Sequence, residues 1–225
     1  MGVSGRTFAI GDIHGDLAAL RKLFGRLPKL VAEDTVVFLG DYIDRGPDSA
    51  GVVAWLRDFA LTSRTKVVTL RGNHEDAWLQ VVERGWPEFI LPRGNGCFEC
   101  YRSFRGEPIP DDAEMPSVED IDGMVTGKFI PADVLTWMKS LPFFYEDDHA
   151  IYVHAGIKRN GGGFPHPRDV KPQRALLWLR DRDFFESYRG KLVVLLFYHS
   201  VRTVAEARKK GRPCLSRLRL LTTFQ

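Results

Sequence analysis

Cysteine is scarce: Cys97, Cys100 and Cys214 are the three in 225 residues, too few and too odd in number for a disulfide framework and consistent with a reducing compartment. The residues six positions beyond them are Ser103, Gly106 and Leu220, so the Cys-x5-Arg arrangement of a cysteine-nucleophile phosphatase is excluded. Long apolar runs are lacking too. The strongest, Leu192 to Tyr198, is far short of the roughly 18 residues that span a bilayer, and no basic start leads into an apolar leader. The expectation is a soluble, cytoplasmic protein with no membrane partner. A formal charge of +3 is too small to imply nucleic acid as a partner of the whole molecule. No GxxxxGK[ST] loop occurs, "HEDAW" at His74 lacks the second histidine of a zinc-protease helix, and "GGGFPH" at Gly161 is not a dinucleotide fingerprint.

What is present is a regular alternation. Arg6 to Ile10, Thr35 to Leu39 and Lys66 to Leu70 read as buried strands, and each leads through a Gly/Asp-rich turn into an amphipathic segment: Asp16 to Leu27, Pro47 to Phe59, Glu75 to Val82. Such a βαβαβ series predicts helices packed on a largely parallel sheet. With 44% hydrophobic residues, the chain is expected to form one domain over residues 1–225. Residues 85–130, rich in Pro, Gly and acids, read as an inserted loop. Beyond it come a helix near Pro131 to Ser140, a hairpin-like pair at Phe143 to Tyr145 and Ile151 to Val153, and a strand at Leu192 to Phe197.

The strand-end turns carry the chemistry: "GDIHGD", "GDYIDRG" and "RGNHE". In an open parallel α/β sheet, ligands collect beyond the carboxyl ends of the strands, which brings Asp12, His14, Asp41, Asp44, Arg45, Asn73 and His74 within reach of one another. One aspartate after a strand is ordinary helix-capping chemistry. Three consecutive turns of this kind bury like charges side by side, which is unfavourable unless cations neutralise them. Oxygen donors mixed with imidazoles suit Mn²⁺, Fe or Zn²⁺.

These blocks, together with "YVHAGI" and "ALLWLRDRDFF", resemble the signature of the PPP-type metallophosphatases, within the calcineurin-like metallophosphoesterase superfamily, over about Arg6 to Val194. The resemblance implies an α/β fold in which central β-sheets, paired as a β-sandwich, are flanked by α-helices, with a dinuclear metal site at strand C-terminal ends. It implies two divalent metal ions, Mn²⁺ first among Mn²⁺, Fe and Zn²⁺. Asp12 and His14 would hold one ion, Asn73 and His154 the other, and Asp41 would bridge them. His74 would be the general acid, oriented by Asp44, while Arg45 and Arg180 would grip phosphate oxygens. Glu75 reads only as helix first-turn chemistry.

Relatives close their second metal site with a histidine in "FGHT", where this chain reads "LLFYHSVRT". His199 is placed there if Tyr198 replaces the glycine. The C-terminal segment, residues 195–225, otherwise departs from the family; within it, Val201 to Gln225 carries seven Lys/Arg against one acid. It reads as a folded edge using Leu215, Leu218 and Leu220, as a basic arm, or as an altered end of the coding frame. Cys97 and Cys100 read as incidental thiols, and Trp137 and Trp178 as core anchors. The function implied is a metal-dependent phosphatase of phosphoserine or phosphothreonine in a phosphoprotein or phosphopeptide. A symmetrical diadenosine tetraphosphatase or related enzyme with a small nucleotide substrate, and a non-catalytic binding protein with a decayed second metal site, are the alternatives.

Overall fold

The computed structural model describes residues 5–109, 111, 114–179, 182–197, 200–203 and 218–221. Strands β1 (Thr7–Ile10), β2 (Thr35–Phe38) and β3 (Lys66–Thr69) lie where the apolar runs predict them. Between them run helices α1 (Leu17–Phe24) and α2 (Ser49–Thr62), and α3 (Asn73–Arg84) follows β3. Asp16 and Asp48 cap α1 and α2, accepting from the backbone N–H of Ala19 and Gly51. Pro47 therefore lies before its helix rather than in the first turn. α3 starts two residues earlier than its periodicity suggests, which puts Asn73 and His74 in its first turn.

Much of residues 85–130 is helical rather than loop. Pro87–Ile90 (α4), Cys97–Arg105 (α5) and Val118–Thr126 (α6) are helices, followed by α7 (Ala132–Ser140). Each is too short to show a clear period and is defined instead by its ends. Pro87 opens α4, Ser117 and Asp120 form a capping box on α6, and glycines in the left-handed region, Gly106 and Gly127, stop α5 and α6. Arg102 gathers the acids of the segment, with Glu114 at 2.9 Å, Glu107 at 3.5 Å and Asp120 at 3.8 Å. Cys97 and Cys100 are buried on α5, and burial pushes both thiols up, so they behave as small core residues.

A second sheet holds β4 (Phe144–Glu146), β5 (Ile151–Val153), β6 (Val193–Phe197) and β7 (Ser200–Thr203). The short helices α8 (Ala175–Trp178) and α9 (Arg182–Ser187) precede β6. β8 (Leu218–Leu221) returns to pair parallel with β1, so the strand orders are β3-β2-β1-β8 and β4-β5-β6-β7. A folded edge is thus the reading of the C-terminal segment that its backbone pairing supports.

Side-chain alternation explains why these strands read as unbroken apolar runs. Phe8, Ile10, Val36 and Phe38 face α1 and α2, while Ala9, Val37 and Leu39 face the other way. On the second sheet, Ile151, Val153, Val193 and Leu195 pack under α8 and α9, and Tyr152 and Val194 turn inward to meet Ala9, Val37 and Leu39. Both faces of β1 and β5, and of β2 from Val36 onward, are buried, and the result is a sandwich with helices outside. Because β1, β2 and β3 are parallel and in register, their carboxyl ends open on one edge.

At the opposite end, the Arg6 backbone and guanidinium and the Val31 N–H all bond the buried Asp34 carboxylate. Burial opposes that charge, but these donors outweigh it and hold the carboxyl down, to about 2. A folded-state value below the unfolded one stabilises above about pH 4, and that stabilisation is lost as pH falls toward 2. The acid side of the stability curve should therefore be shallower in Asp34→Asn between pH 4 and 2. Chemical denaturation at a series of pH values checks it, and parallel curves would refute it.

Candidate functional site

Among the described residues, four non-glycines occupy the left-handed backbone region: His14 (φ 45°), Asp41 (54°), Asp44 (72°) and Arg45 (67°). All lie in the first two strand-end turns. Such conformations cost on the order of 1 kcal/mol or more each and persist where surrounding bonds over-determine them. Here the bonds are explicit. The N–H groups of Ile13 and His14 donate to the Asp41 carbonyl, and the Asp44 N–H donates to Ser49 Oγ at 3.0 Å. Glu75 takes three more, from Asp41 N at 2.9 Å, Tyr42 N at 2.8 Å and Gly72 N at 2.9 Å. Gly72 is required by this close approach, since a Cβ there would sit 2.2 Å from Asp41 N.

Glu75 is thus a clamp that joins the second and third turns, a role that its place in a helix first turn conceals. Burial and the neighbouring Asp41 charge push its carboxyl up against the pull of the three donors. Glu75→Gln keeps the shape but turns an amide NH₂ toward a backbone N–H. We expect a loss of about 2 kcal/mol, or about 5 °C in unfolding temperature. An unchanged melting curve would show that the carboxylate is not holding the turns.

The side chains converge on Asp41. Its Oδ1 accepts the His74 N–H at 3.0 Å, so an orphan donor of the α3 N-terminus fixes it. Its Oδ2 lies 3.8 Å from His14 Nε2 and 3.5 Å from His154 Nε2. Burial opposes the Asp41 charge, but His154, His74 and His14 outweigh it and hold the carboxyl well below its usual range. His154 arrives from the second sheet, one residue past β5, and its Nδ1 meets the Leu39 carbonyl at 2.9 Å. His14 Nδ1 likewise meets the Ile43 carbonyl at 3.0 Å.

Those two carbonyls accept only from a protonated Nδ1, which leaves the Nε2 lone pairs pointing into the centre. His154 Nε2 faces Asn73 Oδ1 at 2.8 Å, and His14 Nε2 faces Asp12 Oδ2 at 3.7 Å as well as Arg45 at 2.9 Å. Arg45 donates to His14 Nε2, and the carboxylate and amide oxygens gathered around the two imidazoles are donors that would suit divalent cations. Two buried triads have ligand atoms within 4.8 Å of one another: His14, Asp41 and His74, and Asp12, Asp41 and His154. Asp41 belongs to both, so the residues present fit a dinuclear divalent-metal site.

His74 differs from the other imidazoles. Its Nδ1 lies 2.6 Å from Asp44 Oδ2, and Asp44 Oδ1 accepts from Trp78 Nε1 at 2.8 Å. Burial disfavours the His74 cation, yet the Asp41 charge and the Asp44 hydrogen bond prevail and raise its pKa to about 9. Trp78 was not legible as a site residue, although its spacing of four from His74 puts both on one helix face. Trp178, expected in the core, is 38% exposed and lies against Trp86, with its Nε1 3.4 Å from Asp76. Trp137 is partly buried against Tyr42. The structure therefore brings together Asp12, His14, Asp41, Asp44, Arg45, Asn73, His74 and His154. Arg180 and His199 lie outside the described residues.

Known proteins resemble this chain. A Caenorhabditis elegans protein provisionally named a serine/threonine-protein phosphatase is 46% identical over 146 residues, 64% of this chain and 31% of its own length. Serine/threonine-protein phosphatase 1 of Salmonella typhimurium is 41% identical over 91 residues, 40% of this chain and 39% of its own length. The chain thus spans well under half the length of these curated relatives. A crystal structure provisionally assigned as a diadenosine tetraphosphatase has the same fold, with a TM-score of 0.52 at 22% identity over 86% of this chain and 75% of that one. The calcineurin-like phosphoesterase pattern matches residues 5–220, the same stretch whose strand-end turns build the shared carboxylate centre, and the chain belongs to that family.

Proposed function

We infer that the protein is a phosphoprotein phosphatase that hydrolyses phosphoserine or phosphothreonine with a pair of manganese ions, acting as one catalytic domain over residues 1–225. The observation that carries the reading is Asp41 placed between His14 and His154, with the Asp44–His74 pair beside it. A divalent pair, when bound there, supplies Lewis-acid activation of water and neutralises phosphate charge. Asp12 and His14 would hold one ion and Asn73 and His154 the other, with Asp41 serving both. Arg45, in its left-handed turn, places its guanidinium beside His14 Nε2, and a planar fork of this kind suits two phosphate oxygens, a geometry that lysine lacks. His74 protonates the leaving alkoxide, and Asp44 keeps that imidazole charged and aimed. Arg180 is a second phosphate grip and His199 a further ligand of the second ion in this proposal.

The names of the 41–46% identical relatives support the phosphoprotein choice over a nucleotide. The test is manganese-dependent hydrolysis of p-nitrophenyl phosphate by the full chain, followed by phosphoserine and phosphothreonine peptides against diadenosine tetraphosphate. Faster turnover of the peptides supports the reading. Preference for the dinucleotide replaces it with a nucleotide phosphohydrolase, and absence of turnover with bound metal leaves a binding protein.

A further inference from the structure

At the other end of β5 from His154 lies a hollow of about 430 Å³. Glu146, the last residue of β4, pairs with Ile151, the first of β5, and both line it. Three residues of strand, roughly 10 Å, separate that position from His154, so the hollow is distinct from the metal centre. Its size falls within the roughly 300–1,000 Å³ of small-molecule sites. The apolar wall is Phe164 and Tyr188, with ring centroids 5.6 Å apart and steeply inclined.

Charge around the hollow is unbalanced. Glu146 accepts from His166 Nε2 at 2.9 Å and Lys191 Nζ at 2.9 Å, and Arg168 lies 3.5 Å away. His166 Nδ1 in turn meets the Arg168 N–H at 3.2 Å and Nε–H at 3.0 Å. One carboxylate thus meets two full cations. Arg159 reaches Asp183 at 2.6 Å and lies 4.5 Å over the Phe164 ring. Arg189 donates to the Glu186 and Tyr188 carbonyls, at 2.7 and 3.0 Å, and among the described residues no carboxylate pairs with it. Among the described residues, Lys191 and Arg168 therefore share the Glu146 carboxylate, while Arg189 meets backbone carbonyls.

From this juxtaposition of an inclined aromatic pair with uncompensated cations, we propose a second binding site for a small aromatic anion, its ring against Phe164 and Tyr188 and its charged group on Lys191 and Arg189. A ring plus a phosphate or carboxylate fills the hollow and supplies the missing negative charge.

The probe is phenylphosphonate, which has no ester to hydrolyse, titrated calorimetrically into the full chain with manganese and again with EDTA. Binding at the metal centre disappears in EDTA, whereas binding in the hollow persists, with a Kd expected near 1 mM. Lys191→Ala and Arg189→Ala each weaken the EDTA-resistant binding about tenfold, while Glu146→Gln, which removes the competing carboxylate, tightens it about threefold. Opposite signs separate this result from general loss of structure. Methylphosphonate, without the ring, binds at least fivefold more weakly. No EDTA-resistant binding up to 10 mM, a Kd unmoved by the lysine and arginine changes, or weaker binding in Glu146→Gln would each overturn the proposal.

Discussion

Asp41→Asn is expected to lower manganese-dependent hydrolysis of p-nitrophenyl phosphate by about 10³-fold or more, equivalent to ~4 kcal/mol of lost transition-state stabilisation. Among the described residues, Asp41 alone belongs to both triads of the centre. One oxygen is tied to the His74 N–H and the other faces the Nε2 atoms of both His14 and His154. An asparagine there preserves volume and the bond to His74, but it removes the negative charge that both cations need and offers one acceptor where two are required. Calorimetric manganese uptake should fall from two ions to at most one. Unfolding free energy without metal should fall as well, because a carboxylate that its histidine neighbours hold well below the usual range stabilises the fold, so uptake and turnover are read on protein shown to be folded. Turnover within tenfold of the parent protein would sink the shared-carboxylate reading.

The convergence at Asp41 was legible because strand ends are legible. Short apolar runs followed by Asp, His or Asn sit at the same edge of a parallel sheet whatever the details of packing, and the structure puts Asp12, Asp41 and Asn73 there. His154 was accessible only through the family resemblance, since nothing local in "YVHAGI" says that a second sheet stacks on the first and delivers its imidazole to the Leu39 carbonyl. Glu75 and Trp78 were missed for a related reason. Both are ordinary helix residues by sequence, and their importance comes from contacts 34 residues away, to Asp41 and Asp44. Composition misled in residues 85–130, where Pro, Gly and acids suggested a loop but instead cap short helices around Arg102. The left-handed turn at Asp44 and Arg45 has no glycine to announce it; tertiary bonds impose it, the Asp44 N–H to Ser49 and the Arg45 N–H to the Gly96 carbonyl.

His74→Asn separates proton transfer from metal binding, because this imidazole alone in the centre is tied to a carboxylate of its own. Asp44 holds its Nδ1 at 2.6 Å and is itself fixed by Trp78, so the far nitrogen keeps one direction and the ring keeps its proton. If that proton goes to the leaving oxygen, the cost of losing it depends on how badly the leaving group needs it. A serine alkoxide needs protonation to depart, whereas p-nitrophenolate is stable as an anion. Turnover of a phosphoserine peptide should therefore fall by about 10²- to 10³-fold, and that of p-nitrophenyl phosphate by about tenfold or less. Uptake of two manganese ions should be retained, since His14, His154, Asp12 and Asn73 keep their places. Asp44→Asn should show the same contrast at smaller amplitude, the imidazole remaining present but less basic and less well aimed. Equal losses on both substrates would assign His74 to metal binding, as its proximity to His14 and Asp41 alone allows, and would move the acid to another group.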